Sequence, residues 1–126
     1  MKVLQVIDQA FRTNTEEQDD TILWLIGSMR GVGADLMLLL SGHSAYYAVL
    51  RQRQPPLSLA EWQQTQPADI PKDVTNLITK GVPIYVIKED LEERGLGKLP
   101  LISGVKVVAR NALANLYEQA DQVWNW

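Results

Sequence analysis

Along this chain, short apolar runs alternate with stretches in which apolar residues recur every three or four positions, the pattern of strands interleaved with helices. Residues 2–7, KVLQVI, predict a first strand. Residues 13–31 predict a helix. Thr13 or Asn14 would cap it, with Glu16 or Glu17 three positions on. Ile22, Leu25, Ile26 and Met29 share one face, and Gly31 and Gly33 stop it. The run DLMLLLS that follows has no polar face at 36–40, so a strand there is covered on both sides, as in the middle of a largely parallel sheet. Residues 43–53 predict a helix with Tyr46, Val49 and Leu50 as its apolar stripe.

The stretch 54–71 has a different character, because Pro55, Pro56, Pro67 and Pro71 and several glutamines fall within it. It reads as an excursion within one domain. Ser58 and Glu61 form a candidate capping box for a turn or two of helix carrying Trp62. Pro71 suits the first position of a helix over KDVTNLITKG. A strand at 82–87 then runs into a short acidic helix at 88–94, with Gly95 past its end. GVKVVA predicts a fourth strand, and NALANLYEQA a helix with Leu113, Leu116, Tyr117 and Ala120 inward. QVWNW predicts a short closing strand at or near a sheet edge.

Five strands joined mostly by helices, with right-handed crossovers, make an α/β domain spanning 1–126: a three-layer α/β/α sandwich around a mainly parallel five-stranded sheet. In such folds ligands sit beyond the carboxyl ends of the strands. That rule selects residues 8–12, 41–44, 88–90 and Arg110 for scrutiny.

Composition narrows the chemistry. Apolar residues make up 46% and charged residues 21%, and the net charge is −3, which gives no electrostatic footprint for nucleic acid or an anionic membrane. No apolar run approaches a bilayer span, and MKVLQVIDQ meets an acid too soon for a secretory signal peptide. A cytoplasmic location is expected. There is no cysteine, so the chain has no disulfide, thiolate nucleophile or thiolate metal ligand. With one histidine, a zinc site would draw nearly all its ligands from carboxylates. No metal and no cofactor is expected.

The candidate sites each carry a plainer reading. SGHS, residues 41–44, would cradle an anion on helix amides, with His43 as proton donor; as a structural element it is a tight turn and cap. Ser41 and Ser44 flank His43 in sequence without a G-x-S-x-G elbow, which argues against a serine hydrolase. Asp8, Glu89 and Asp90 would hold magnesium as in a phosphate-receiving domain, yet no aspartate ends a middle strand. KEDLEER otherwise reads as an exposed helix face with its acids at the N-terminal end. RGVG at 30–33 follows a helix and precedes a strand, the reverse of a phosphate loop. Of the four tryptophans, Trp24 is expected in the core or at a helix contact. Trp62, Trp124 and Trp126 are candidate interface anchors.

GVPIYVIKEDLEERGL at 81–96, with SGVKVVARNALANLYEQADQVWNW at 103–126, resembles the DsrE/DsrF/DsrH-like family of Tus-type sulfur-relay subunits. The pattern x-E-D-L-x-x-R-G-L, a last helix and a terminal tryptophan are most similar to the DsrH/TusB type, and the first half matches in element order. The resemblance implies an α/β/α fold and trimeric or hexameric assembly. It also implies that, in active members, a persulfide-carrying cysteine stands where this chain has Ile87. Isoleucine cannot carry sulfur. The expectation is therefore a non-catalytic oligomeric subunit, a scaffold or docking component associated with sulfur relay. Its partners would be copies of itself or cysteine-bearing DsrE-like paralogues. The alternative is a small-molecule or anion sensor with Asp8, Arg12, Ser41, His43 and Lys88 around its ligand. An enzyme using His43 with Asp8 or Glu89 is a third reading.

Overall fold

The structure is a computed structural model and describes residues 1–11 and 20–126. Its centre is the apolar run expected to be covered on both sides. Strand β2 (Asp35–Leu40) lies between β1 (Lys2–Ile7) and β5 (Ile84–Ile87), and every residue of it after Asp35 is buried. Strands β6 (Lys106–Val108) and β7 (Gln122–Asn125) complete the order β6-β5-β2-β1-β7, with every neighbouring pair parallel.

Because strand side chains alternate between faces, the sheet divides its apolar residues into two layers. Val3, Ile7, Leu36, Leu38, Leu40, Ile84 and Val86 face one side. There they meet α1 (Thr21–Gly31), a 3-10 helix (Gly42–Ala48), α2 (Ile70–Thr79) and α3 (Lys88–Glu93). Leu4, Val6, Met37, Leu39 and Ile87 face the other side, against Leu116 and Leu113 of α4 (Leu113–Glu118). The chain steps across the sheet from β1 through β2 and β5 to β6, then jumps back to β7. Reversing direction with the same right-handed crossover puts the last helix on the opposite face, which gives the third layer.

Several local expectations change. The proposed cap at Thr13 or Asn14 with Glu16 or Glu17 lies outside the described residues. As described, α1 begins at Thr21, with the Asp20 carboxylate accepting from the Ile22 and Leu23 amides. Its buried face is Ile22, Leu23, Ile26 and Gly27, while Leu25 and Met29 are half-buried and Trp24 is 61% exposed. The face turned to α2 is the one carrying Leu23 and Gly27, where a Cβ on Gly27 would make ordinary contact with Leu77 at 3.5 Å. Trp24 is left on the outer side.

The segment after β2 is a 3-10 helix, whose side chains align at i and i+3. Ser44 with Tyr47, and Ala45 with Ala48, are therefore inward, and Tyr46 and Leu50 are exposed. The capping box at Ser58 and Glu61 does not start a helix. Ser58–Leu59 (β3) and Trp62–Gln63 (β4) form a hairpin, Leu59 paired with Trp62, with Ala60 in the left-handed region at φ 52°. A helical turn between Pro55-Pro56 and Pro67 would be too short to sustain itself. Helix α2 begins one residue before Pro71, capped by Asp69. Tyr117 faces solvent, and Leu116 takes the core position.

Tyr47 is fully buried and ties distant parts of the chain together. Its hydroxyl donates to Asp20 Oδ2 at 2.5 Å and accepts the Phe11 amide at 2.8 Å; its ring meets Phe11 edge-on at 5.1 Å. We expect Tyr47→Phe to lower unfolding free energy by about 1–3 kcal/mol in urea titrations, because it strips a partner from a buried carboxylate and a backbone N–H together. An unchanged urea midpoint would mean that water serves both groups equally well.

Candidate functional site

The carboxyl ends of the parallel strands bring together the turn after β2, the start of α3 and Arg110, two residues beyond β6. Leu40 pairs with Val86 and Ile87 with Val108. The turn Ser41-Gly42 therefore stands beside the first turn of α3, and Glu89 and Arg110, each two residues past a paired position, stand beside one another.

Asp90 is the centre of this cluster. It is 6% exposed, and its carboxylate accepts the Gly42 amide at 2.8 Å and Arg110 Nη2 at 2.7 Å. Gly42 can offer its amide because its φ is 57°, and because a Cβ there would sit 3.3 Å from the Asp8 carbonyl oxygen. Arg110 also reaches Glu93 at 3.6 Å, and its own backbone N–H donates to both Glu89 oxygens at 3.0 and 3.1 Å. Arg94, one helical turn after Asp90, donates to the Asp90 carbonyl at 3.2 Å and lies 3.9 Å from its carboxylate. The acids at the start of α3 do suit the helix dipole. Asp90, however, is turned inward as a latch, whereas the stretch reads in sequence as an exposed face.

The backbone N–H of Arg110 holds the Glu89 carboxyl below its ordinary value, an effect that exceeds the opposing push from burial. Desolvation works against the Arg110 charge, but the carboxylates of Asp90, Glu93 and Glu89 together outweigh it and hold the guanidinium above its ordinary value.

The same geometry answers the anion-cradle reading of SGHS. The Ser41 amide donates to the Ile7 carbonyl and to Ser44 Oγ, Gly42 to Asp90, His43 to the Asp8 carbonyl, and Ser44 to the Ser41 carbonyl. All four amides have partners within the chain. Ser44 is fully buried and its hydroxyl donates to the Ile7 carbonyl, so it stitches β1 to β2 and is not placed for nucleophilic attack.

Of the residues expected around a ligand, Asp8, Ser41 and His43 do come together, through their backbones. The side chains of Asp8 and His43 are exposed. Lys88 is turned along α3 toward Glu92, 3.8 Å away, and Arg12 lies outside the described residues. Ile87 ends β5 with its side chain buried in the layer beneath α4. Trp126 donates its indole N–H to the buried Gln5 oxygen at 2.7 Å and packs on the core. Trp62 and Trp124 are exposed. The Asp90–Arg110 pair, which the sequence reading did not connect, had one available signal: both residues follow adjacent parallel strands. Three surface cavities bordered by described residues lie away from this cluster, near Asp69, between α1 and α2, and beside Arg30. Among the described residues, no helix is long and apolar enough to cross a membrane.

A parallel sheet in this order, with helices on both faces and α3 starting at the end of β5, defines an α/β protein of DsrE-like fold. Neither a family model nor a curated protein sequence matches the chain. Solved structures do. The ychN protein from E. coli superposes with a TM-score of 0.74 at 24% identity, covering 99% of this chain and 98% of that one. MTH1491 from Methanobacterium thermoautotrophicum, described as a protein of unknown function, gives a TM-score of 0.66 at 15% identity over 99% and 98%. BT1422 from Bacteroides thetaiotaomicron, described in the same way, gives 0.59 at 12% identity over 98% and 94%. At these identities the likeness is one of fold.

Two outcomes follow from the latch. Asp90→Ala should cost about 1–3 kcal/mol in urea unfolding, because the Gly42 amide is left without its buried acceptor. Asp90→Asn, which keeps a carbonyl for Gly42, should cost less. For Glu89, a carboxyl whose folded value is depressed contributes stability that is present above its unfolded value and lost as pH falls through the folded one. An NMR titration should therefore show the Arg110 amide resonance moving only below the ordinary glutamate value of 4.5. In Glu89→Gln that movement should be absent; if it persists, another group holds the Arg110 amide.

Proposed function

We propose that this protein is a non-catalytic DsrE-like subunit of the DsrH/TusB type, a scaffold or docking component of a sulfur-relay assembly that does not itself carry sulfur. The observation that carries the reading is the open edge at β7. Its four residues are all exposed, Trp124 is 39% exposed, and nothing pairs with its outer side among the described residues. An unpaired edge strand bearing an exposed aromatic is a ready contact for another chain.

Ile87 supports the non-carrier half of the reading. The position at which active members of the family would place their cysteine is 4% exposed here, packed among Leu4, Val6, Met37, Leu39 and Leu116. The residue serves the core. The partners that fit are copies of this chain or cysteine-bearing DsrE-like paralogues. A sensor of anions or small molecules at the strand ends has less support, because Asp90 already takes the Gly42 amide such a ligand would need.

Native mass spectrometry of the protein isolated gently from its host tests this. Multiples of its own mass, or complexes with a cysteine-bearing relative, are expected, with Trp124→Ala weakening them. A lone monomer in both forms would overturn the proposal. In a separate check, Ile87→Cys should react with a thiol reagent at least about tenfold more slowly than in the urea-unfolded chain, because burial denies it both access and thiolate character. Rapid labelling would show that the position opens to solvent.

A further inference from the structure

The hairpin β3–β4 is hard to account for within one molecule. All four of its strand residues are exposed. A hairpin this short has little stability of its own in water, and this one holds Ala60 in a conformation that disfavours a side chain. At its tip, Leu59 and Trp62 form a cross-strand apolar pair facing solvent, with Glu61 between them in the turn.

On another part of the same chain a groove offers apolar walls and a lysine to such a tip. It lies between α1 and α2, has a volume of about 370 Å³, and is lined by Leu23, Trp24, Gly27, Gly31, Leu77 and Lys80. Its floor is open at Gly31, where a Cβ would meet nothing within 4 Å, while Leu77 and the Lys80 ammonium stand over Gly27. Trp24 forms an exposed aromatic wall. The Lys80 ammonium, which stands over Gly27, has no carboxylate within ion-pair distance among the described residues. Arg30 beside it is held by two carbonyl oxygens, those of Lys80 and Ala34. Asp73, which also borders the groove, is already engaged within its own chain.

We infer that the hairpin tip of one copy seats in the α1–α2 groove of a second copy, with Trp62 and Leu59 against Trp24 and Leu77, and Glu61 toward Lys80. This rests on the reading of the chain as an assembling subunit and names a contact for it other than the β7 edge. An acid flanked by two apolar side chains is complementary to a trough walled by Leu23, Trp24 and Leu77 that carries a lysine without a carboxylate partner among the described residues. Burying an indole beside a second aromatic supplies the kind of anchor on which interfaces depend. The contact also supplies what the hairpin lacks, an outside surface that holds its strained turn.

Sedimentation velocity over micromolar concentrations tests it with the whole chain. The wild type is expected to self-associate. Trp62→Ala should weaken association at least about tenfold, the loss common to a truncated tryptophan anchor. Gly31→Gln should weaken it too, because it fills the groove at a position with open space while leaving the fold unchanged. Glu61→Lys and Lys80→Glu should each weaken association, and the double variant should restore it, which a purely structural effect of either change would not do. If the wild type assembles and all these variants match it, the groove contact is wrong while the subunit reading stands. If Trp62→Ala acts but the charge swap gives no rescue, the tip seats elsewhere and the inference falls. If the wild type is monomeric, and also alone when isolated from its host, both fall. If it is monomeric by itself but binds a cysteine-bearing relative through Trp62, the second-copy contact is overturned and the subunit reading survives.

Discussion

The parallel ladder around β2 is the constraint on which everything else depends. Five consecutive apolar residues with no polar face can be buried only if both sides of the strand are covered and both edges are paired. Parallel neighbours need crossovers long enough to form helices, so α1 and α2 arise from the same requirement that places β1 and β5. Once β2 is central, the carboxyl ends of β1, β2 and β5 lie side by side, and the turns leaving them must satisfy one another's polar groups.

They do so through the chain's own side chains. Asp90 takes the place an anionic ligand would occupy at the turn after β2, Arg110 balances its charge, and Ser44 ties the ends of β1 and β2 together. A buried carboxylate with one backbone donor and one guanidinium partner is satisfied. The strand ends, where related architectures gather their chemistry, are here closed by structural contacts.

The exposed tryptophans lie at three separate places: the β7 edge with Trp124, the hairpin tip with Trp62, and Trp24 beside the α1–α2 groove. Each is large, aromatic and without use in the core. Together with the closed strand ends, this distribution is the ground for the proposal that the protein acts through contacts with other chains. Trp126 differs, because its indole N–H is taken by Gln5 inside the fold.

The sequence by itself determined the succession of the five main-sheet strands and the helices between them, though not the β3–β4 hairpin, and with it the central place of β2, the three layers and the edge position of β7, because apolar periodicity and crossover handedness are local or nearly local properties. It also excluded sulfur carriage, since that depends on a residue type the chain lacks. Only the tertiary structure decided which side chain of each pair turned inward. The packing of α1 on α2 left Trp24 outside, the 3-10 winding chose Tyr47 over Tyr46, and the register of β5 with β6 brought Arg110 to Asp90. These choices turn on contacts between residues far apart in the chain, whose energies enter only after the elements have packed, and so no local pattern records them.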